Sequence, residues 1–284
     1  MERCLFASDL HGRPDGYEKL FAAVERERPD AVFLGGDLLP GGWEHGAGGA
    51  GPPFFEALRQ RLEGLRAALG GGYPRILAIP GNDDPGTALL DLAALEAEGL
   101  LESVHGRAVR LGERTVLGYA CVPPSPFLLK DFERYDVSRY VDPGCVSPEE
   151  GLRTVPADES DVRYGTIAAD LEALAAGVGP GAAILLCHAP PYGSLLDRAA
   201  LDGVVHDGVP ADVHVGSIAV RRFIEARRPA VGLHGHVHES ARLTGAWRDD
   251  VGGTPVLSAA HDGPELALVR FDLASPAGAT RALL

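Results

Sequence analysis

The sequence predicts an α/β protein, and three observations lead there. Short apolar runs of strand length alternate with amphipathic stretches of helical spacing along most of the chain. The chain has 284 residues, 45% of them hydrophobic, enough for one large α/β domain or two small ones. Five of the strand-like runs end in acidic, amide or imidazole side chains, as expected where a sheet gathers ligands at its carboxyl edge.

Taken in order, residues 3–8 read as a buried strand that runs into Asp9-Leu10-His11-Gly12. Tyr17, Leu20, Phe21 and Val24 fall at helical spacing within 15–27, and Pro29 stops that helix. Residues 31–34 form the second strand, ending in Gly35-Gly36-Asp37. Residues 40–53 are rich in Gly and Pro and read as a surface loop, followed by an amphipathic helix over 54–69. Residues 76–79 are the third strand, ending in Pro80-Gly81-Asn82-Asp83-Asp84-Pro85. Asp84-Pro85 fits a helix cap followed by proline in the first turn, which opens a helix over 87–98. Within 104–121 two β runs flank a hairpin turn at Leu111-Gly112-Glu113-Arg114.

Residues 122–162 break the alternation. Repeated prolines interrupt them, yet they carry Phe127, Phe132, Tyr135 and Tyr140, which a linker would not need. An ordered insertion packed over the site is expected, one that sets substrate choice. A helix over 163–176 and a strand over 183–187 follow, the strand ending in His188-Ala189-Pro190-Pro191. Residues 192–214 form a polar loop with His206 and His214, and Ser217 caps a helix over 218–227. The strand 230–233 runs into His234-Gly235-His236-Val237-His238. Closing strands are expected at 241–247, 254–258 and 265–271, with a tail that frays. The whole is expected to be a single domain over 1–284, with 122–162 as its insertion.

The formal net charge of −14 offers no basic footprint for a nucleic-acid backbone or an anionic membrane. The apolar runs are far shorter than the roughly 20 residues of a membrane span. The N-terminus lacks the apolar core of a signal peptide. Cys4, Cys121, Cys145 and Cys187 are scattered without a CxxC pair. Reduced thiols in a cytoplasmic protein are therefore expected.

The strand ends supply Asp9 and His11, Asp37, Asn82, His188, and His236 and His238. Imidazole, carboxylate and amide ligands from five strand ends suit two hard or borderline divalent ions such as Mn, Fe or Zn. By strand alternation His234 should point away from them. His261 could approach the site, and His45 and His105 read as surface residues.

Asp-x-His, Gly-Asp, Gly-Asn, His-x-Pro-Pro and Gly-His-x-His, in this order from residue 9 to residue 238, resemble the calcineurin-like metallophosphoesterase superfamily. The resemblance implies a four-layer sandwich of two mixed β-sheets flanked by helices. It assigns Asp9, His11 and His238 to one metal, Asn82, His188 and His236 to the other, and Asp37 to both. It implies hydrolysis of a small phosphorylated substrate by a hydroxide bridging the two ions.

The chain departs from the family pattern in two places. Many members carry histidine after Gly-Asn, which helps protonate the leaving oxygen; here that residue is Asp83. The acid that often follows the bridging aspartate by three residues is replaced by Pro40. The Asp-Arg-Gly of the protein Ser/Thr phosphatases is also missing. Asp83 is a candidate for proton transfer or a hydrogen-bond acceptor, but two nearby dications would push its carboxyl down, away from the pKa a donor needs. A substrate whose leaving group needs little protonation is therefore expected, a phosphodiester rather than a monoester. An anhydride substrate and a non-catalytic scaffold are the alternatives. His214 precedes a helix N-terminus and is a candidate for contacting substrate phosphate.

Overall fold

The central strands are apolar along their whole length because each sheet is covered on both faces. This computed structural model describes residues 2–41 and 52–284. The first sheet holds, in spatial order, β14 (Thr280–Leu283), β13 (Ala267–Asp272), β1 (Arg3–Ala7), β2 (Ala31–Gly35), β3 (Arg75–Ile79) and β4 (Glu102–Ser103). β1 to β4 run parallel, whereas β13 pairs antiparallel with both β1 and β14. The second sheet runs β11 (Arg248–Val251), β12 (Thr254–Ser258), β10 (Val231–His234), β7 (Ala183–Cys187), β6 (Arg114–Tyr119) and β5 (Arg107–Leu111). Its central pairs are parallel, and both of its edge pairs antiparallel.

Alternation along each strand splits its side chains between two layers. On β1, Cys4 and Phe6 point between the sheets, where they meet Phe33, Ile79, Ile184, Leu186 and Leu233. Leu5 and Ala7 point the other way, onto α1 (Pro14–Glu27), α2 (Pro52–Leu69) and α3 (Ala88–Ala97). The second sheet turns Leu185 and Cys187 onto α5 (Ile167–Leu174) and α6 (Ile218–Arg227). The result is helix, sheet, sheet, helix, the four layers expected. Each buried Phe or Leu in these layers contributes about 1.5–3 kcal/mol of transfer free energy. The fold sets the carboxyl ends of β1, β2, β3, β7 and β10 around one place.

Several elements differ from expectation. The helix read over 163–176 is two helices, α4 (Glu159–Tyr164) and α5, because Gly165 interrupts and Thr166 accepts a hydrogen bond from Ala169 N as a new cap. Residues 241–247 are not a strand. Ser240–Thr244 form a helical turn, α7, ended by Gly245 at φ 74°, and the strand β11 begins only at Arg248. The stretch is too short for its apolar spacing to tell a period of two from 3.6. The tail does not fray: β14 pairs with β13, and Leu284 and Leu266 exchange backbone hydrogen bonds. A two-residue hairpin, β8 (Val205–His206) with β9 (Val209–Pro210), lies inside the loop read over 192–214. Among the described residues no helix is long and apolar enough to cross a membrane.

Candidate metal centre

Backbone hydrogen bonds carry the parallel pairing of β1 and β2 past the ends of the strands. Asp9 N donates to Gly36 O at 2.9 Å, His11 N to Asp37 O at 2.8 Å and Gly12 N to Leu38 O at 2.9 Å. Asp9, His11, Asp37 and His236 all take positive φ, at 56°, 46°, 51° and 74°. Such conformations are costly for residues with a Cβ and persist where the surroundings enforce them, commonly at functional sites. Two glycines admit the crowding. A Cβ on Gly81 would lie 2.2 Å from Asp37 Oδ1, and one on Gly235 would lie 2.0 Å from Ser8 Oγ.

Asp9, His11, Asp37 and His238 each present a ligand atom within 4.8 Å of the others. His238 Nε2 lies 3.1 Å from Asp9 Oδ1 and 3.2 Å from His11 Nε2. Asp9 is fixed by its own neighbours: Ser8 Oγ donates to Oδ2 at 2.5 Å and His236 N donates to Oδ1 at 3.0 Å. Asp37 is held by Asp83 N, which donates to Oδ1 at 2.9 Å and leaves Oδ2 turned toward His188.

The remaining ligand candidates gather on the other side of Asp37. His188 Nε2 is 3.2 Å from Asp37 Oδ2, and the His188 and His236 rings are 5.3 Å apart. His188 Nδ1 donates to Gly35 O at 2.7 Å, which directs the Nε2 lone pair inward. His188 Nε2 makes no aligned hydrogen bond, and neither does the buried Asn82 Oδ1. Asn82 Nδ2 donates to Asp83 Oδ1 at 3.1 Å, which fixes the amide so that Oδ1 is its free atom. A buried acceptor without a donor, Asn82 Oδ1, and a buried imidazole nitrogen with only the Asp37 carboxylate beside it, His188 Nε2, lie among clustered imidazoles and carboxylates and fit a cation site. The donor set fits a metal cation.

Without metal, protons take over part of this role. Burial opposes a charged His188, but Asp37 outweighs it and raises the imidazole to about 10. Burial opposes a charged His238 as well, and Asp9 raises it to about 9. Asp9 and Asp37 stay below the usual carboxylate range in spite of their burial, because these histidines face them. Burial pushes His236 down to about 3 and lowers His11 too.

The family model for calcineurin-like phosphoesterases matches residues 2–240. The chain belongs to this family. One crystal structure superposes on this phosphoesterase with a TM-score of 0.62 and 19% identity, covering 99% of this chain and 98% of its own. The crystal structure of TT1561 of Thermus thermophilus gives a TM-score of 0.57 at 18% identity, with 99% and 98% covered. At these identities the likeness speaks for the fold alone. No curated protein sequence matches the chain. The family fits a metal-dependent phosphoesterase, and the Asp and His cluster can hold metal.

Asp83, the residue after Asn82, has its Oδ2 3.8 Å from His11 Nδ1. In the metal-free chain, burial and the Asp37 charge raise the Asp83 carboxyl to about 7. Bound dications would act with the opposite sign. His214 is not part of the cluster. Its Nδ1 lies 2.8 Å from Oδ1 of Asp197, a buried carboxylate that also accepts from Gly193 N and Gly216 N. His234 turns away, as alternation requires, with Nδ1 2.8 Å from Ala189 O. His261 pairs with Glu265 at 3.1 Å instead of joining the cluster. His105 is no surface residue: it is half-buried, accepts from Ala120 N at 3.0 Å and packs edge-on against Phe132. His45 lies outside the described residues.

Sequence reasoning gave Asp84 a structural role but the wrong one. It caps no helix, because α3 starts at Ala88 after Thr87. Its buried carboxylate accepts from Leu38 N at 3.1 Å, Leu39 N at 2.9 Å and Gly81 N at 2.9 Å. It thereby fastens the Asp37 loop to the Asn82 turn. Ser8, which orients Asp9, was missed because a serine at a strand end carries no signal of its own. Its adjacency to a candidate ligand, Asp9, was the available clue.

Proposed function

We propose that the chain is a binuclear phosphoesterase that hydrolyses phosphodiesters in preference to monoesters. In this reading Asp9, His11 and His238 hold one ion, Asn82, His188 and His236 the other, and Asp37 both. When bound, such a pair polarises phosphoryl oxygens and provides hydroxide at neutral pH. The observation that carries the reading is the unpartnered Asn82 Oδ1 beside His188, whose Nε2 faces Asp37, the same carboxylate that joins the Asp9, His11 and His238 cluster. Gly35 O orients the imidazole of His188, and Asp83 N orients Asp37.

The diester preference rests on Asp83. A carboxylate 3.8 Å from a ligand histidine is a poor proton donor once dications lie beside it, so a leaving group stable as an anion is favoured. His214, held by Asp197, remains our candidate for substrate phosphate, and the 122–162 insertion our candidate for substrate choice. A small phosphorylated substrate, without nucleic acid or membrane, fits the net charge of −14. The four free cysteines fit a reducing compartment, and the cytoplasm is our reading.

The test is hydrolysis of bis-p-nitrophenyl phosphate with added manganese, with Asp37→Asn as control. Activity lost in the control, and slower turnover of p-nitrophenyl phosphate, is the expected result. Faster turnover of the monoester would overturn the diester preference. Two bound metals without activity on either ester, but with activity on a nucleoside diphosphate, would favour an anhydride substrate.

A further inference from the structure

The turn that bears Asn82 belongs to neither a helix nor a strand, so its shape depends on what holds it. On one side the hold comes from the Asp37 loop: Asp83 N donates to Asp37 Oδ1, and Asp84 accepts from Leu38 N and Leu39 N. On the other side it comes from the insertion. Gly86 N donates to Asp131 Oδ2 at 2.9 Å, and Thr87 N donates to Thr154 Oγ1 at 3.1 Å. Thr154 in turn donates to Asp131 through both its Oγ1, at 2.6 Å, and its N, at 3.0 Å. The approach is close enough to require glycine, since a Cβ on Gly86 would lie 2.7 Å from Val155 Cγ2 and 3.0 Å from Asp131 Cγ.

Asp131 stands on a firm base. Its neighbour Lys130 is fully buried, paired with buried Glu133 and bonded to Ser125 O at 2.9 Å. Phe132 reaches the core between the sheets. At the far end of the same short segment, Asp136 accepts from Ile218 N at 2.7 Å and from Ser217 Oγ, at the start of α6. The segment 131–136 therefore runs from the Asn82 turn, on the first sheet, to the helix that follows the His188 loop, on the second.

We propose that Asp131 and Thr154 are positioning residues for Asn82, so that docking of the insertion sets the affinity of the metal position beyond Asp37. The inference rests on the reading of Asn82 as a ligand. Removing groups that orient metal ligands typically costs about 10–100-fold in affinity. Asn82 contributes to one position only, whereas Asp37, held by Asp83 N of the same turn, serves both, so the loss is larger at the Asn82 position than at the other.

The test is manganese titration of the full chain by calorimetry, with electron paramagnetic resonance of the loaded protein. Wild type is expected to bind two equivalents and show an exchange-coupled pair. Asp131→Ala with Thr154→Val weakens the Asn82 position about 10-fold, the low end of that range because the two residues act through Gly86 and Thr87, weakens the other position less, and shows isolated manganese at one equivalent. Thr154→Ser, which keeps the hydroxyl, behaves as wild type. Asp131→Asn, which keeps the side-chain volume if the double variant does not fold, shows the same unequal loss on a smaller scale. Equal weakening of both sites would reduce the pair to general stability and overturn the proposal, and so would an unchanged coupled pair. Wild type binding a single ion would overturn the proposed function along with it.

Discussion

Asp84→Asn isolates one feature of the site that involves neither a ligand nor the substrate. The carboxylate is 1% exposed and receives three backbone N–H groups: Oδ2 takes Leu38 and Gly81, and Oδ1 takes Leu39. An asparagine can keep its oxygen toward Leu38 and Gly81, but its NH₂ then faces the Leu39 donor. One buried N–H is left unsatisfied, at a cost of about 1–3 kcal/mol. Asp84→Ala leaves all three unsatisfied, about 3–9 kcal/mol before water enters or the loops relax. For a domain of this size each kcal/mol lowers Tm by about 2–4 °C. Urea and thermal unfolding of the metal-free protein measure the loss, and manganese titration measures its effect on binding. The ordering wild type, Asn, Ala is the expected result in both. A loss below about 0.5 kcal/mol for Asp84→Ala, the range of an indifferent surface change, would refute the clamp.

Other expectations follow from the same geometry. His188 and His238, raised to about 10 and about 9, hold protons at pH 7 that metal must displace, so binding should release about two protons, read by calorimetry in buffers of different ionisation enthalpy; no release would refute their pairing with Asp37 and Asp9. Their raised values also stabilise the metal-free fold fully below about pH 6.5, the unfolded histidine value, and this stability is lost as pH rises through 9 and 10, so urea midpoints should fall across that window. Gly235→Ala puts a Cβ 2.6 Å from Asp9 Oδ2 and should cost about 1–3 kcal/mol from overpacking and weaken manganese binding, whereas the open position Gly64 should tolerate the same change without either loss. Ser217→Ala removes the α6 cap and should cost about 1 kcal/mol in unfolding while leaving the number of metal ions bound unchanged.

The sequence by itself determined the alternating strands and helices and the polar residues that end the strands. Buried parallel strands must be continuously apolar, so 31–34 and 183–187 announced themselves, and the polar residue that ends each run stood out against them. Cap chemistry is local too, which is why Ser217 at the start of α6 was legible while Thr166 was lost inside a longer helical pattern. Tertiary structure decided what depends on partners far along the chain. Asp84-Pro85 has the local signature of a helix start, but the donors that claim its carboxylate come from Leu38 and Leu39, and no spacing rule joins residue 84 to residue 38. His105 reads as exposed until Phe132 and Ala120 close around it. β14 is weakly patterned because Arg281 interrupts its alternation, and it becomes a strand because the free edge of β13 offers hydrogen bonds. The stretch 122–162 was visible as an anomaly of proline and aromatic residues. Only the folded chain shows where it holds, at Gly86 and Thr87 through Asp131 and Thr154, because a hydrogen bond to a backbone N–H leaves no mark in the sequence of the residue that donates it.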